Sequence, residues 1–183
     1  MDIQQPAVSE FAPYYLTYVN ATARSLASSG LTVQSLLAAQ PDQLDKLVEG
    51  ADPSVASYSY APGKWTLGES IVHISDTERV FAYRLLRFAR GDSTSLPGFD
   101  QDAWVPMSGA ANRSLSSLLA EFRAVRASSV ALIESLAEET LVRSGTASNN
   151  PVTVRALVWI IAGHAAHHMN IAAERYLGRD VGH

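Results

Sequence analysis

Apolar residues in this chain recur at steps of three and four, not in alternation, and that period commits most of it to helices with one buried face. The spacing predicts four long ones. The first covers about residues 32–50, with Val33, Leu36, Leu37, Leu44, Leu47 and Val48 on one side. Pro41 lies inside it, and because the stripe keeps its phase across the proline, one kinked helix is expected. The second starts at a capping box, Thr66-Leu67-Gly68-Glu69, steps through Ile71, Ile74, Glu78, Phe81, Leu85 and Phe88, and stops at Gly91. The third runs over about residues 113–138 through Leu115, Leu118, Phe122, Val125, Ser129, Leu132 and Leu136. The fourth follows Pro151, over about residues 153–177, with Val154, Leu157, Ile161, His164, His168 and Ile171 as its stripe. Residues 9–28 add an N-terminal helix whose apolar side carries Phe11, Tyr14, Tyr15, Tyr18 and Val19. The expected fold is all-α: a four-helix bundle with long inter-helix loops and a short helical extension at its N-terminus. Two of those loops, residues 52–64 and 92–111, are long enough to cross an end of the bundle and line a pocket there.

Composition narrows the chemistry. At 183 residues a single domain spanning 1–183 can bury a core of its own. The chain has no cysteine, which removes thiolate nucleophiles, Fe–S clusters and cysteine-type zinc sites at once. Net charge is −4 and the 14 Lys and Arg residues are scattered, so the basic stripe that nucleic-acid binding needs is missing. The longest strongly apolar stretch, residues 156–166, falls well short of the roughly 20 residues of a membrane span. The start, Met1-Asp2-Ile3-Gln4-Gln5-Pro6, carries an acid where a signal peptide has a base. A cytoplasmic protein that engages neither nucleic acid nor membrane is expected.

Chemistry concentrates in the last helix. Gly163-His164-Ala165-Ala166-His167-His168 holds three of the five histidines. His164 and His168 are one turn apart, about 6 Å along the axis, on the inward stripe set by Val154, Leu157 and Ile161. Each could be a core histidine bonded to a nearby carbonyl. Two on one inward face also present two nitrogens to a single metal ion, while His167 lies about 100° round the helix. A site needs a third ligand, and His73, in the second turn of the second helix, is the candidate if those helices are neighbours. His183 reads as tail. The zincin motif is absent, because Ala165 follows His164 where a glutamate would stand.

Two carboxylates are candidate catalytic groups. Glu78 sits on an apolar stripe, either paired with Arg84, Arg123 or Arg126, or acting as an acid/base or ligand-orienting group beside a metal. Asp76, one turn beyond His73, carries the same two readings. Trp65, Trp104 and Trp159 are either packing residues or the rim of a pocket.

Several segments together resemble one family. Lys64-Trp65-Thr66, His73-Ile74-Ser75-Asp76-Thr77-Glu78 and Tyr83-Arg84 are similar to the second-helix signature of the DinB/YfiT-like superfamily. Leu96-Pro97-Gly98-Phe99-Asp100-Gln101-Asp102-Ala103-Trp104 resembles its middle loop, and the segments 153–157 and 163–168 resemble its last helix. The resemblance covers about residues 12–178. It implies a four-helix bundle, often a homodimer, with a divalent metal held by three histidines, here His73, His164 and His168. Zinc and nickel head the metals it implies, ahead of iron and manganese. Family activities include S-transfer from bacillithiol or mycothiol and a mycothiol-dependent isomerisation, and other members are described as metal-dependent hydrolases. An enzyme whose metal activates a small-molecule thiol toward an electrophilic substrate is the leading expectation. A metal-dependent hydrolase and a non-enzymatic, metal-stabilised binding bundle are the alternatives.

Overall fold

The computed structural model describes residues 3–179, so the Met1-Asp2 start and His183 lie outside the described residues. Its helices are α1 (Leu16–Ser29), α2 (Val33–Val48), α3 (Leu67–Ala89), the single turn α4 (Gln101–Trp104), α5 (Leu115–Glu134) and α6 (Val154–Ile171). A π-helical turn, Ala172–Tyr176, prolongs α6 to nearly the expected end. Helix α3 begins as its sequence dictates. Thr66 Oγ1 accepts from the Glu69 amide at 3.1 Å, and the Glu69 carboxylate accepts from the Thr66 amide at 2.7 Å. Thr32, Ser114 and Thr153 cap α2, α5 and α6 one way only, each side chain accepting from an amide three residues on.

Helix α2 runs unbroken through Pro41. Proline has no N–H to give to the carbonyl four residues back, Leu37, and the Arg126 guanidinium of α5 donates to that carbonyl at 3.1 Å instead.

The N-terminal helix is more than the short extension expected. The 14-residue α1 packs along α6, which also lies against α3 and α2, so α6 runs through the middle of the bundle. Every residue from Ala156 to Ala166 is buried. An amphipathic stripe therefore understates this helix, whose other sides are covered by α1 and α2. The closest approach is at Gly163. A Cβ there would lie 1.8 Å from the Tyr18 carbonyl oxygen, so only glycine lets α1 come this near. Thr22 Oγ1 donates to the Trp159 carbonyl at 2.7 Å, and Gln40 Nε2 donates to the Ala162 carbonyl at 2.8 Å, tying α1 and α2 to α6.

One element departs from the all-helical expectation. Residues 143–151, read as a loop, contribute to an antiparallel hairpin, β1 (Ser144–Ala147) and β2 (Asn150–Thr153). Ser148 and Asn149 form its turn with φ of 50° and 62°, the positive pair that a two-residue hairpin turn needs. The middle loop is fastened to it: the Leu96 amide donates to the Thr146 carbonyl at 2.9 Å, and the Ser148 amide to the Leu96 carbonyl at 3.0 Å. No helix among the described residues is long and apolar enough to cross a membrane.

The apolar core falls into two groups with a polar layer between them. In α2 the change from one group to the other comes between Leu37 and Leu44, at Gln40. In α3 it lies between Ile74 and Phe81, and in α5 between Phe122 and Ile133. In α6 it falls between Ala162 and Ala165, at Gly163-His164. Gln40, Ser75, Thr77, Glu78, Arg126, Ser129 and His164 are the buried polar residues at these crossings. Burying such groups requires mutual hydrogen bonds, and the layer is where they are made.

Candidate metal centre

Three histidines converge at that layer's edge, His164 within it and His73 and His168 just beyond. His73 and His164 are each 3 % exposed, and His168 is half-buried. One nitrogen from each lies within 4.8 Å of the other two. His73 Nε2 and His164 Nε2 are 3.1 Å apart, a gap that one ion held at about 2.0–2.1 Å by each nitrogen can span. The rings of His73 and His168, and of His164 and His168, have centroids 4.8 and 4.6 Å apart.

The remaining ring nitrogens face hydroxyls. Thr77 Oγ1 is 3.4 Å from His73 Nδ1, and Ser70 Oγ is 3.5 Å from His168 Nδ1. A hydroxyl accepting from Nδ1–H leaves the lone pair on Nε2, the tautomer a ligand needs. Burial pushes the His73 pKa down to about 4. His164 and His168 are held well below the usual imidazole range by burial and by the charge each neighbouring histidine would carry. All three are therefore neutral near pH 7, as metal ligands must be. The donor set thus fits a divalent ion with room for further ligands.

His167 is not one of the converging histidines; its ring is edge-on to His168 at 5.2 Å and to Tyr18 at 5.6 Å. The two carboxylates singled out from sequence are likewise elsewhere. Glu78 takes a bidentate bridge from Arg126, both N···O distances 2.8 Å, with the two side chains 2 % and 1 % exposed. Its reading as an ion-paired residue is the one that matches this geometry. Asp76 accepts from Arg79 at 3.0 Å at a partly exposed position. Trp159 is a packing residue, its indole N–H donating to the Ile3 carbonyl at 3.0 Å, whereas Trp65 lies over His73 with ring centroids 4.7 Å apart. Trp104 is exposed and stacks on Phe99 beside a separate surface groove.

Two cavities reach the cluster. One, of about 340 Å³, opens on His164 and is walled by Tyr14, Tyr15, Tyr18, Phe81, Arg84 and Phe99, with Thr77, Gln101 and Ser148. The other, of about 260 Å³, opens on His168 and includes Tyr60, Lys64, Trp65, Ser70, Asp102 and Tyr176. Both long loops thus line cavities, as their length suggested. The tyrosines of residues 14–18 were legible only as an apolar helix side; their role as a wall depends on α1 packing against α6. Arg84 was legible as a partner for Glu78 and as part of the Tyr83-Arg84 segment of the family signature, not as a cavity wall. It stands eleven residues, about three turns, from His73 on the same face of α3, and that spacing was the available signal.

Comparison with known proteins agrees with this geometry. The chain is 25 % identical over 129 residues to the provisionally named metal-dependent hydrolase OB0413 of Oceanobacillus iheyensis, covering 70 % of this chain and 74 % of that protein. YfiT from Bacillus subtilis, described as a probable metal-dependent hydrolase with an unusual four-helix bundle topology, superposes with a TM-score of 0.70. That match covers 97 % of this chain and 95 % of YfiT at 18 % identity, so it speaks to the fold. The family model described as the DinB superfamily matches residues 36–172, which take in all three clustered histidines and most of the chain. The chain belongs to the DinB superfamily.

Proposed function

We propose that this protein is a metal-dependent hydrolase of a small molecule, with His73, His164 and His168 as the ligands of a divalent ion. The observation that carries the reading is the convergence of three neutral imidazoles, two buried and one half-buried, where two cavities meet the cluster. A bound ion would supply a Lewis acid that lowers the pKa of a coordinated water and polarises a carbonyl. The chain's own residues supply the rest. Ser70 and Thr77 orient His168 and His73, and Phe81 and Trp65 shield the cluster from bulk water. Burial raises the Tyr18 pKa, so its phenol, beside His164, keeps its proton and can donate to a developing oxyanion. Glu78 is committed to Arg126, which leaves Asp102, on the wall of the His168 cavity, as the carboxylate placed to take up a proton.

A second reading, transfer of a small-molecule thiol to an electrophile, draws support from the two cavities, one on each of two ligand histidines, which suit two substrates. With no cysteine in the chain, the thiol would come from outside. One experiment separates the readings. Untagged protein is assayed for bound metal, then screened against ester and amide substrates and, in parallel, for conjugation of bacillithiol, mycothiol or glutathione to monochlorobimane. Metal-dependent hydrolysis that falls in Asp102→Asn and vanishes in His73→Ala supports the first reading. Conjugation without hydrolysis replaces it with the second, and absence of bound metal removes both.

A further inference from the structure

Two arginines in this bundle are almost wholly buried, and they are treated differently. Arg126 is 1 % exposed and is neutralised by the bidentate Glu78 carboxylate. Arg84 is also 1 % exposed, yet among the described residues no carboxylate pairs with it. Its hydrogen bonds go to neutral oxygens: Nη2 donates to the Pro97 carbonyl at 2.8 Å and to Ser148 Oγ at 3.0 Å, and Nη1 reaches Tyr15 Oη at 3.4 Å. Asp76, which shares the neighbouring surface groove, is bonded to Arg79. A guanidinium taken out of water without a counter-charge is costly, so an anion arriving from outside would be favoured beside it.

The place where an anion would arrive is visible. Arg84 lines the cavity of about 340 Å³ that opens on His164, and it is the only arginine or lysine among the described residues lining it. The Phe81 ring links the two. Its centroid is 5.8 Å from the Arg84 guanidinium carbon and 5.9 Å from the His164 ring centroid, which puts those groups no more than about 12 Å apart. The walls between them are aromatic, from Tyr14, Tyr15, Phe81 and Phe99.

We propose that Arg84 is the receptor for a carboxylate on the substrate, holding a flat or apolar body against these rings with its reacting end toward His164. That the bound acid is turned over rests on the hydrolytic reading above; that the cavity selects it does not. Both Nη2 hydrogens are given to Pro97 and Ser148, so the carboxylate is met by a remaining guanidinium N–H in a charge-assisted bond, which a neutral amide makes more weakly. Pro97 and Ser148 fix the guanidinium in advance, so the same contacts that fasten the loop and the hairpin turn pre-orient the receptor.

The test is calorimetric titration of metal-free and zinc-loaded protein with benzoate, 3-phenylpropionate and succinate, each beside its amide. At least one acid should bind metal-free wild-type protein about tenfold or more tighter than its amide. Arg84→Gln should erase that preference and Arg84→Lys should keep part of it, with circular dichroism reporting the fold of each. Should Arg84→Gln fail to fold, Arg84→Lys and the metal-free wild type decide, because no other arginine or lysine among the described residues lines the cavity. The proposal falls if no acid is preferred by metal-free protein, or if the preference survives in Arg84→Gln. An acid preference that appears only with zinc and persists in Arg84→Gln assigns the anion to the metal; it overturns the role of Arg84 and leaves the metal reading intact.

Discussion

Replacing Glu78 with glutamine changes one charge and almost no volume, and it separates a structural carboxylate from a catalytic one. In the native bundle both Glu78 oxygens accept from Arg126 at 2.8 Å. The remaining acceptors around that guanidinium are the Gln40 side-chain oxygen and the Leu37 carbonyl, which is available because Pro41 has no N–H to offer it. Both are neutral, so Glu78→Gln leaves a buried guanidinium without a counter-charge. Breaking a buried pair in this way costs about 3–5 kcal/mol, and because glutamine retains one acceptor the lower end, about 3 kcal/mol, is expected. For a domain of this size that is a fall in Tm of about 6–12 °C. Thermal unfolding followed by circular dichroism gives the shift, and elemental analysis of the folded protein should show unchanged metal content. The double variant Glu78→Met/Arg126→Met should recover only part of the loss, since it removes both charges and refills the volume but takes the Arg126 donor from the Leu37 carbonyl and the Gln40 oxygen. A Glu78→Gln protein as stable as the wild type, or one that keeps its stability and loses its metal, would refute this reasoning.

Other outcomes follow from the same geometry. His164→Ala and His168→Ala should each abolish tight metal binding while the bundle stays helical, and His167→Ala should bind normally; equilibrium dialysis with zinc checks all three, and wild-type-like binding in either ligand variant would sink the assignment. Metal-free protein should lose stability on acidification. Folded His73 titrates at about 4 and unfolded histidine near 6.5, so its contribution is complete above about pH 6.5 and drains away as pH falls toward 4. His73 alone should cost about 2 kcal/mol between pH 7.5 and 5, with His164 and His168 adding in the same direction, and urea midpoints that do not move would contradict this. Gly163→Ala should destabilise by about 3 kcal/mol and loosen α1, because its methyl group meets the Tyr18 carbonyl; unchanged hydrogen exchange in α1 would show that the helices can part freely.

Much of this protein could be read without coordinates. Helix positions follow from a period that reflects which residues leave water, and caps such as Thr66 with Glu69 satisfy amides within four residues of themselves. The i,i+4 pair His164 and His168 is likewise local, since helical geometry alone puts both on one face. Even the Ser148-Asn149 turn had a local signal, an asparagine-rich stretch, that a helix-only reading passed over. What no local rule contains is which faces meet. His73 joins the pair only because α3 lies against α6, ninety-one residues away in the chain for its nearest imidazole. The Arg126 partner was one of three arginines open to Glu78 until α5 packed on α3, and Arg84 went instead to the cavity wall. The wall of tyrosines needed α1 to settle on α6, which the missing side chain at Gly163 permits. Local chemistry set the helices and offered the donors; the choice among partners was made by packing, because buried charges and lone pairs are satisfied only by what the neighbouring helix presents.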